Sequence, residues 1–179
     1  MRPYPIALAL SGLAVTAALP AAAAAQSRTG VAAVHASWQG VTANVTRAAE
    51  QMKDSDYAFR PTESVRTFGQ LIGHIAGAQK MICAAALGEK PTAEDEIEKT
   101  ATTKAALVEA MKSTTAYCER AYAQTDAAAA ASTTLFGQTQ TRMYALATNA
   151  SHNSEHYGNI VTYMRMKGMV PPSSQPAPR

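Results

Sequence analysis

The sequence predicts an all-α fold, a four-helix bundle, on three observations. Alanine makes up about a fifth of the 179 residues, with only 10 glycines and few β-branched runs, a composition that favours packed helices over sheet. Four long segments carry apolar residues at three- and four-residue spacing, the period of a helix with one buried face. The stretches between them hold proline, glycine and acidic residues, which break helices. The length suits one domain with appendages. An apolar content of 47% is enough to bury a core and excludes general disorder. A net charge of +3 with no basic cluster gives no support for nucleic-acid binding.

The first residues stand apart from that domain. Met1-Arg2 is a short positive start, Ile6 to Leu19 is apolar, and Ala21 to Ala25 offers small residues before Gln26-Ser27 turns polar. This is the pattern of a secretory signal peptide over residues 1–25, cut near Ala25. The apolar run is short for a spanning helix, so no stable membrane insertion is expected after cleavage. Loss of Arg2 takes Lys+Arg from 16 to 15 against 13 acids, a net charge of +2. The expected mature protein is a nearly neutral domain over residues 26–172 with a flexible Pro/Ser tail at 173–179, periplasmic or secreted.

Helix one is predicted from Gly30 to Lys53, with Val31, Val34, Trp38, Val41, Val45, Ala48 and Met52 on one stripe. Asp54 to Thr67 reads as a loop. Helix two follows, with Thr67 and Gln70 at capping-box spacing, and ends near Leu87-Gly88. Its buried stripe runs Phe68, Leu71, Ile72, Ile75, Ile82 and Ala86, with Gln79 as a polar exception. Gly88 to Thr102, with Glu94, Asp95, Glu96 and Glu98, reads as a long solvated connection. Helix three spans Thr103 to Ala123, with Leu107, Val108, Met111, Thr115, Cys118 and Tyr122 inward. Gln124 to Gly137 has no amphipathic stripe and reads as a second long connection. Helix four spans Gln138 to Lys167, stopped by Gly168, Pro171 and Pro172. No strand is expected.

The link between helices two and three is long enough to run the height of the bundle, which permits a crossover that leaves those helices parallel. The cysteines favour it. Cys83 lies 16 residues past Thr67 and Cys118 lies 15 past Thr103, so both stand at nearly equal height in parallel helices and far apart in antiparallel ones. Two cysteines in an exported chain allow one pairing, a Cys83–Cys118 disulfide.

The histidines carry the chemistry. His152 and His156 stand at i and i+4 on helix four, so both rings share one face, about one turn apart. Ala145, Asn149, Ile160 and Tyr163 continue that face, which turns the imidazoles inward. His74, at the edge of the stripe of helix two, is the candidate third ligand. Three neutral imidazoles with an open position make a catalytic type of metal site, and imidazole suits zinc, nickel, copper or iron alike. Glu155 and Tyr157 are candidate partners around such a metal, and Tyr57 and Arg66 are further candidates to touch a substrate. His35 lies beside its helix stripe and is left out. The sequence contains no Ser-His-Asp arrangement, P-loop, dinucleotide fingerprint or C-x-x-C pair.

Two segments resemble a known family. Pro61–Ala76 (PTESVRTFGQLIGHIA) resembles the entry to helix two of DinB-like proteins. His152–Tyr163 (HNSEHYGNIVTY), followed by Arg165, Gly168, Pro171 and Pro172, resembles their last core helix and its exit. The resemblance extends over nearly all of Val31 to Ser174. It implies an up-down-down-up bundle with a divalent metal held by His74, His152 and His156. It also implies kinship with YfiT-like metal-dependent hydrolases and low-molecular-weight thiol S-transferases. Many relatives are cytoplasmic, so an exported chain departs from the family in the thiols it would meet, mycothiol or bacillithiol among them. The expected function is therefore a metal-dependent hydrolase or thiol S-transferase acting on a small molecule. The alternatives are a non-catalytic metal-binding envelope or stress protein and a dimeric scaffold, a homodimer in which the histidines are vestigial.

Overall fold

Helix boundaries follow the capping chemistry written in the chain. The computed structural model describes residues 28–176; the expected signal peptide and residues 177–179 lie outside the described residues. Helix α1 spans Gly30–Gln51. Helix α2 spans Phe68–Leu87, and its first turn carries the expected capping box between Thr67 and Gln70. It ends at Gly88, which takes a left-handed φ of 75° that a side chain would disfavour. Bonds from Gly88 N to Ala85 O and from Glu89 N to Ala84 O then close the last carbonyls in a Schellman motif. A short helix α3, Glu96–Thr100, follows in the connection. Helix α4 spans Lys104–Tyr122, capped by Thr103. Helix α6, Arg142–Met166, is capped by Thr141.

Cross-helix pairs fix the directions. On α2 and α4, Gln79 meets Thr114, Cys83 bonds to Cys118, and Ala86 accepts from Gln124 just past the end of α4. The numbers rise together, so these helices are parallel. On α2 and α6, His74 meets His156, Gln79 meets Asn153 and Cys83 meets Asn149, in opposite order. Helices α1 and α4 are likewise antiparallel, with His35 at Glu119 and Glu50 at Lys112. The result is an up-down-down-up four-helix bundle. The segment between α2 and α4 runs back down the outside of α2, with Glu94 against Gly77 and Glu98 against Gly73. The disulfide forms with a Cα–Cα distance of 5.4 Å.

The core divides in two. One apolar cluster gathers Met52, Phe68, Ile72, Ile75, Met111, Ile160 and Met164. The other gathers Trp38, Ile82, the two cysteines, Leu135 and Leu146. A buried polar layer also crosses the bundle, with one residue from each helix: Thr42, Gln79, Thr114 and Asn153. Gln79 Nε2 donates to Thr114 Oγ1 at 2.6 Å, and Asn153 Nδ2 donates to Thr42 Oγ1 and Gln79 Oε1, both at 3.1 Å. The polar exception in the stripe of helix two is the hub of this network.

The stretch expected to be an unstructured connection is folded. Thr125 caps a four-residue helix α5, Asp126–Ala129, and Asp126 Oδ1 accepts the Val31 amide at 2.7 Å, capping α1. A hairpin follows, β1 Ser132–Leu135 against β2 Gln138–Thr141. Its two-residue turn, Phe136-Gly137, has positive φ at both positions, the type I′ pattern. Helix four therefore begins at Arg142, four residues later than expected, because Gln138–Thr141 pairs as a strand. The strands are Thr, Ser and Gln with one buried residue, Leu135, so no apolar alternation advertised them. At the other end, Ser173 and Gln175 are tied to the bundle: Ser173 N donates to Tyr157 Oη at 2.9 Å and Gln175 Nε2 donates to Gln51 Oε1 at 2.9 Å. Among the described residues no helix is long and apolar enough to cross a membrane.

Candidate metal centre

Three imidazoles from two distant parts of the chain converge. His74 comes from the N-terminal half of α2, and His152 and His156 come from successive turns of α6. The Nε2–Nε2 distances are 3.1 Å for His74–His156 and 3.2 Å for both His74–His152 and His152–His156. His74 is 6% exposed, and the other two are half-buried. Asn153, locked into the polar layer beside His152, sets the rotation of α6 that aims the pair inward.

This triangle cannot be satisfied by hydrogen bonding alone. An imidazole nitrogen is either a donor or an acceptor, never both. With three Nε2 atoms in mutual contact, at least one edge sets two donors or two lone pairs face to face. A cation at the centre removes the conflict, since all three nitrogens then present lone pairs. Nitrogens 3.1–3.2 Å apart surround a point about 1.8 Å from each, close to the length of a zinc–imidazole bond of about 2.0–2.1 Å. The donor set fits a divalent metal.

Electrostatics agree. Burial pushes the His74 pKa down to about 3, helped by the charges of Arg66, His152 and His156. Burial also pushes His156 down to about 4 and lowers His152. All three rings are therefore neutral at physiological pH, the form that ligates a metal.

Two of the three far nitrogens meet polar groups. His74 Nδ1 faces Glu94 Oε1 at 3.5 Å and Glu98 Oε2 at 3.8 Å. Negative charge on that side favours the tautomer with its proton on Nδ1, which leaves the Nε2 lone pair for a ligated ion. The Asn159 amide lies 3.4 Å from His156 Nδ1. The buried Nδ1 of His152 has no partner among the described residues.

Glu94 and Glu98, expected as part of a solvated connection, thus stand behind a candidate ligand. They reach it because the connection lies flat on α2. A Cβ on Gly73 would come within 2.8 Å of the Glu98 Cα, and one on Gly77 would collide with the Glu94 carbonyl oxygen. The signal was in the chain: Gly69, Gly73 and Gly77 repeat every fourth residue, a bare stripe on which backbone can pack.

The other expected partners differ in what they touch. Glu155 is exposed, and its charge acts on His152 and His156. Tyr157 is buried in the cluster around Met52 and Phe68, with its hydroxyl at the Ser173 amide. The Tyr57 hydroxyl donates to Ala49 O at 2.6 Å and anchors the loop after α1. His35, not one of these partners, pairs with Glu119 at 2.8 Å and stacks on Tyr122. Arg66 does sit near the triad, on the wall of a cleft of about 730 Å³ that His156 also lines.

The family model for the DinB superfamily matches residues 17–160. The chain belongs to the DinB superfamily. Solved structures share its fold. A DinB-like protein from Bacillus cereus is 18% identical, covering 78% of this chain and 93% of its own, with a TM-score of 0.67. YfiT from Bacillus subtilis, described as a "probable metal-dependent hydrolase" with an unusual four-helix bundle topology, is 17% identical. It covers 80% of this DinB-superfamily chain and 92% of its own, with a TM-score of 0.60. A mycothiol-dependent maleylpyruvate isomerase is 16% identical, covering 75% of this chain and 66% of its own, with a TM-score of 0.59. At these identities the likeness establishes the fold. No curated protein sequence matches the chain.

Proposed function

We propose that this protein binds one divalent metal ion through His74, His152 and His156 and uses it as a metal-dependent hydrolase or thiol S-transferase. The observation that carries the reading is the Nε2 triangle of 3.1–3.2 Å sides, which hydrogen bonds cannot close. A divalent ion held there would lower the pKa of a bound water or thiol and supply a nucleophile near neutral pH.

The chain's own residues do the rest. Neutral imidazoles donate lone pairs, Glu94 and Glu98 favour the His74 tautomer with its proton on Nδ1, and the polar layer fixes the rotation of α6. No carboxylate or thiol among the described residues joins the three rings as a fourth ligand, and His156 borders a cleft. Three protein ligands with an open side favour a reactive site over the closed shell of a structural metal. The names given to YfiT and to the isomerase point the same way.

The protein acts outside the cytoplasm in this reading, which the leader pattern and the Cys83–Cys118 disulfide support. Cell fractionation with N-terminal sequencing tests it; full-length protein in the cytoplasm overturns it. The metal is tested by elemental analysis of protein purified from its native compartment, with His152→Ala as control. One metal per chain, lost in the variant, is expected. Equal metal content in both removes the triad as the site.

A further inference from the structure

We propose that the cleft beside His156 binds a small molecule carrying a carboxylate or a similar planar oxyanion, with the Arg66 guanidinium as its anchor. This names the substrate class of the site proposed above and rests on that reading for its chemistry, though not for its binding.

The cleft lies between the 61–66 loop and the outer turns of α6. Its walls include Arg66, Val65, Leu71, His156, Thr162 and Tyr163. Its volume of about 730 Å³ suits a small molecule. A ligand seated there lies against His156, one member of the triad.

Arg66 is held in a way that leaves its recognition edge open. Its Nε donates to both Glu98 oxygens, at 3.1 and 3.2 Å. Neither Nη group donates to any described residue, and the side chain is 43% exposed. The Tyr163 hydroxyl donates to the Arg66 carbonyl at 2.8 Å, fixing the backbone from which the guanidinium projects. Glu98 in turn faces His74, so one carboxylate sets both the anchor and a candidate ligand. A guanidinium with two free Nη groups matches the two oxygens of a carboxylate.

The cleft wall offers its charge to an anion. Arg66 is the only Lys or Arg on that wall, and the one carboxylate there, Glu98, is taken up on the Nε side of the guanidinium, so the free Nη groups carry the positive charge a ligand meets. Thr62 and Ser64 hydroxyls lie 3.1 Å apart on the loop at the rim, where they can accept or donate to a second polar group. Val65, Leu71 and Pro61 give a short aliphatic wall. The ligand class is thus a small monoanion with a compact apolar body.

The test uses 4-fluorobenzoate and its neutral isostere 4-fluorobenzamide, with binding read by fluorine NMR on the full mature protein, metal-loaded and metal-free. Benzoate is expected to bind about ten- to a hundredfold more tightly than benzamide, the worth of a charge-assisted pair. Arg66→Gln is expected to abolish that preference while leaving metal content unchanged. Equal binding of the two probes to the wild-type protein, or a benzoate preference that survives in Arg66→Gln, overturns the assignment. Elemental analysis of the same samples reports separately on the metal site. Metal-free protein that still prefers benzoate supports the anchor even if the metal reading fails.

Discussion

Asn153 donates from Nδ2 to Gln79 Oε1 at 3.1 Å, with both side chains fully buried. This bond links α6 to α2 one residue away from His152. It is therefore a register pin: sliding or rotating α6 would break it and leave two buried polar groups unpaired, an expensive state in a dry core. The polar layer makes the bundle more specific rather than simply more stable, as buried polar groups do in coiled coils.

Removing one partner should therefore hurt more than removing both. Asn153→Ala leaves Gln79 Oε1 and Thr42 Oγ1 each short of a donor, and we expect a loss of about 1–3 kcal/mol on urea unfolding. The double variant Gln79→Leu/Asn153→Leu should recover part of that stability. It should also weaken metal binding, because nothing then fixes the rotation that points His152 and His156 at His74. A double variant with unchanged metal affinity would show that apolar packing alone sets the register.

Glu98 and Gly77 should influence a metal held by the three histidines without touching it. Glu98→Gln and Glu94→Gln remove the charges facing His74 Nδ1 at 3.8 and 3.5 Å. Loss of such outer partners lowers metal affinity about 10–100-fold, to be measured by competition with a chelating dye. Gly77→Ala should do the same from further away, since its methyl group forces the Glu94 backbone off α2. We expect it to destabilise the fold by about 1–3 kcal/mol as well. Normal affinity in Gly77→Ala would mean that the connection tolerates displacement and does not position His74.

How much of this was legible in the chain depended on whether the signal was local. The caps at Thr67 and Gly88 and the four stripes are fixed by spacing within one segment, the equal heights of Cys83 and Cys118 by the spacing within each of two helices, and each appears in the fold. The three histidines were findable because two share a helix face and the third sits at bundle depth. The hairpin was hidden because its strands, STTL and QTQT, are polar and short; the Phe136-Gly137 turn was their only mark. Gln79 looked like a flaw in a stripe because its partners, Thr114 and Asn153, lie 35 and 74 residues away. Glu94 and Glu98 looked solvated because only the bare glycine face of α2 reveals that the connection packs down. Long-range polar contacts leave almost no trace in periodicity.

The Cys83–Cys118 bond closes a loop with a sequence separation of 35, and that loop contains the crossover carrying Glu94 and Glu98. Chain-entropy arguments assign such a closure about 2–4 kcal/mol. Reduction, or Cys83→Ala/Cys118→Ala, should lower the thermal midpoint by several degrees and loosen the upper half of the bundle. Asn149 donates to Cys83 Sγ at 3.3 Å, one turn from His152, so the loosening should reach the metal site as a faster metal off-rate. Two titratable thiols in unfolded, unreduced protein would show that the bond is absent in solution.

Acid should unfold the metal-free protein through its histidines. Their folded-state pKa values are depressed by burial, to about 3 at His74 and about 4 at His156, with His152 lowered too. An unfolded histidine titrates near 6.5. Between those limits the unfolded chain binds protons that the folded one refuses, so stability is fully present above about pH 6.5 and falls as the pH drops towards 4. The urea midpoint of metal-free protein should accordingly decline from pH 7 to pH 4.5. In His74→Gln/His156→Gln the decline should be shallower, because fewer groups take up protons on unfolding. Saturating metal should raise the midpoint at pH 7 by mass action and steepen the fall, since protons then compete for the same lone pairs. A flat profile in the metal-free protein would mean that all three rings take up protons in the folded state as readily as in the unfolded chain, and the case for a preformed cation site would go with it.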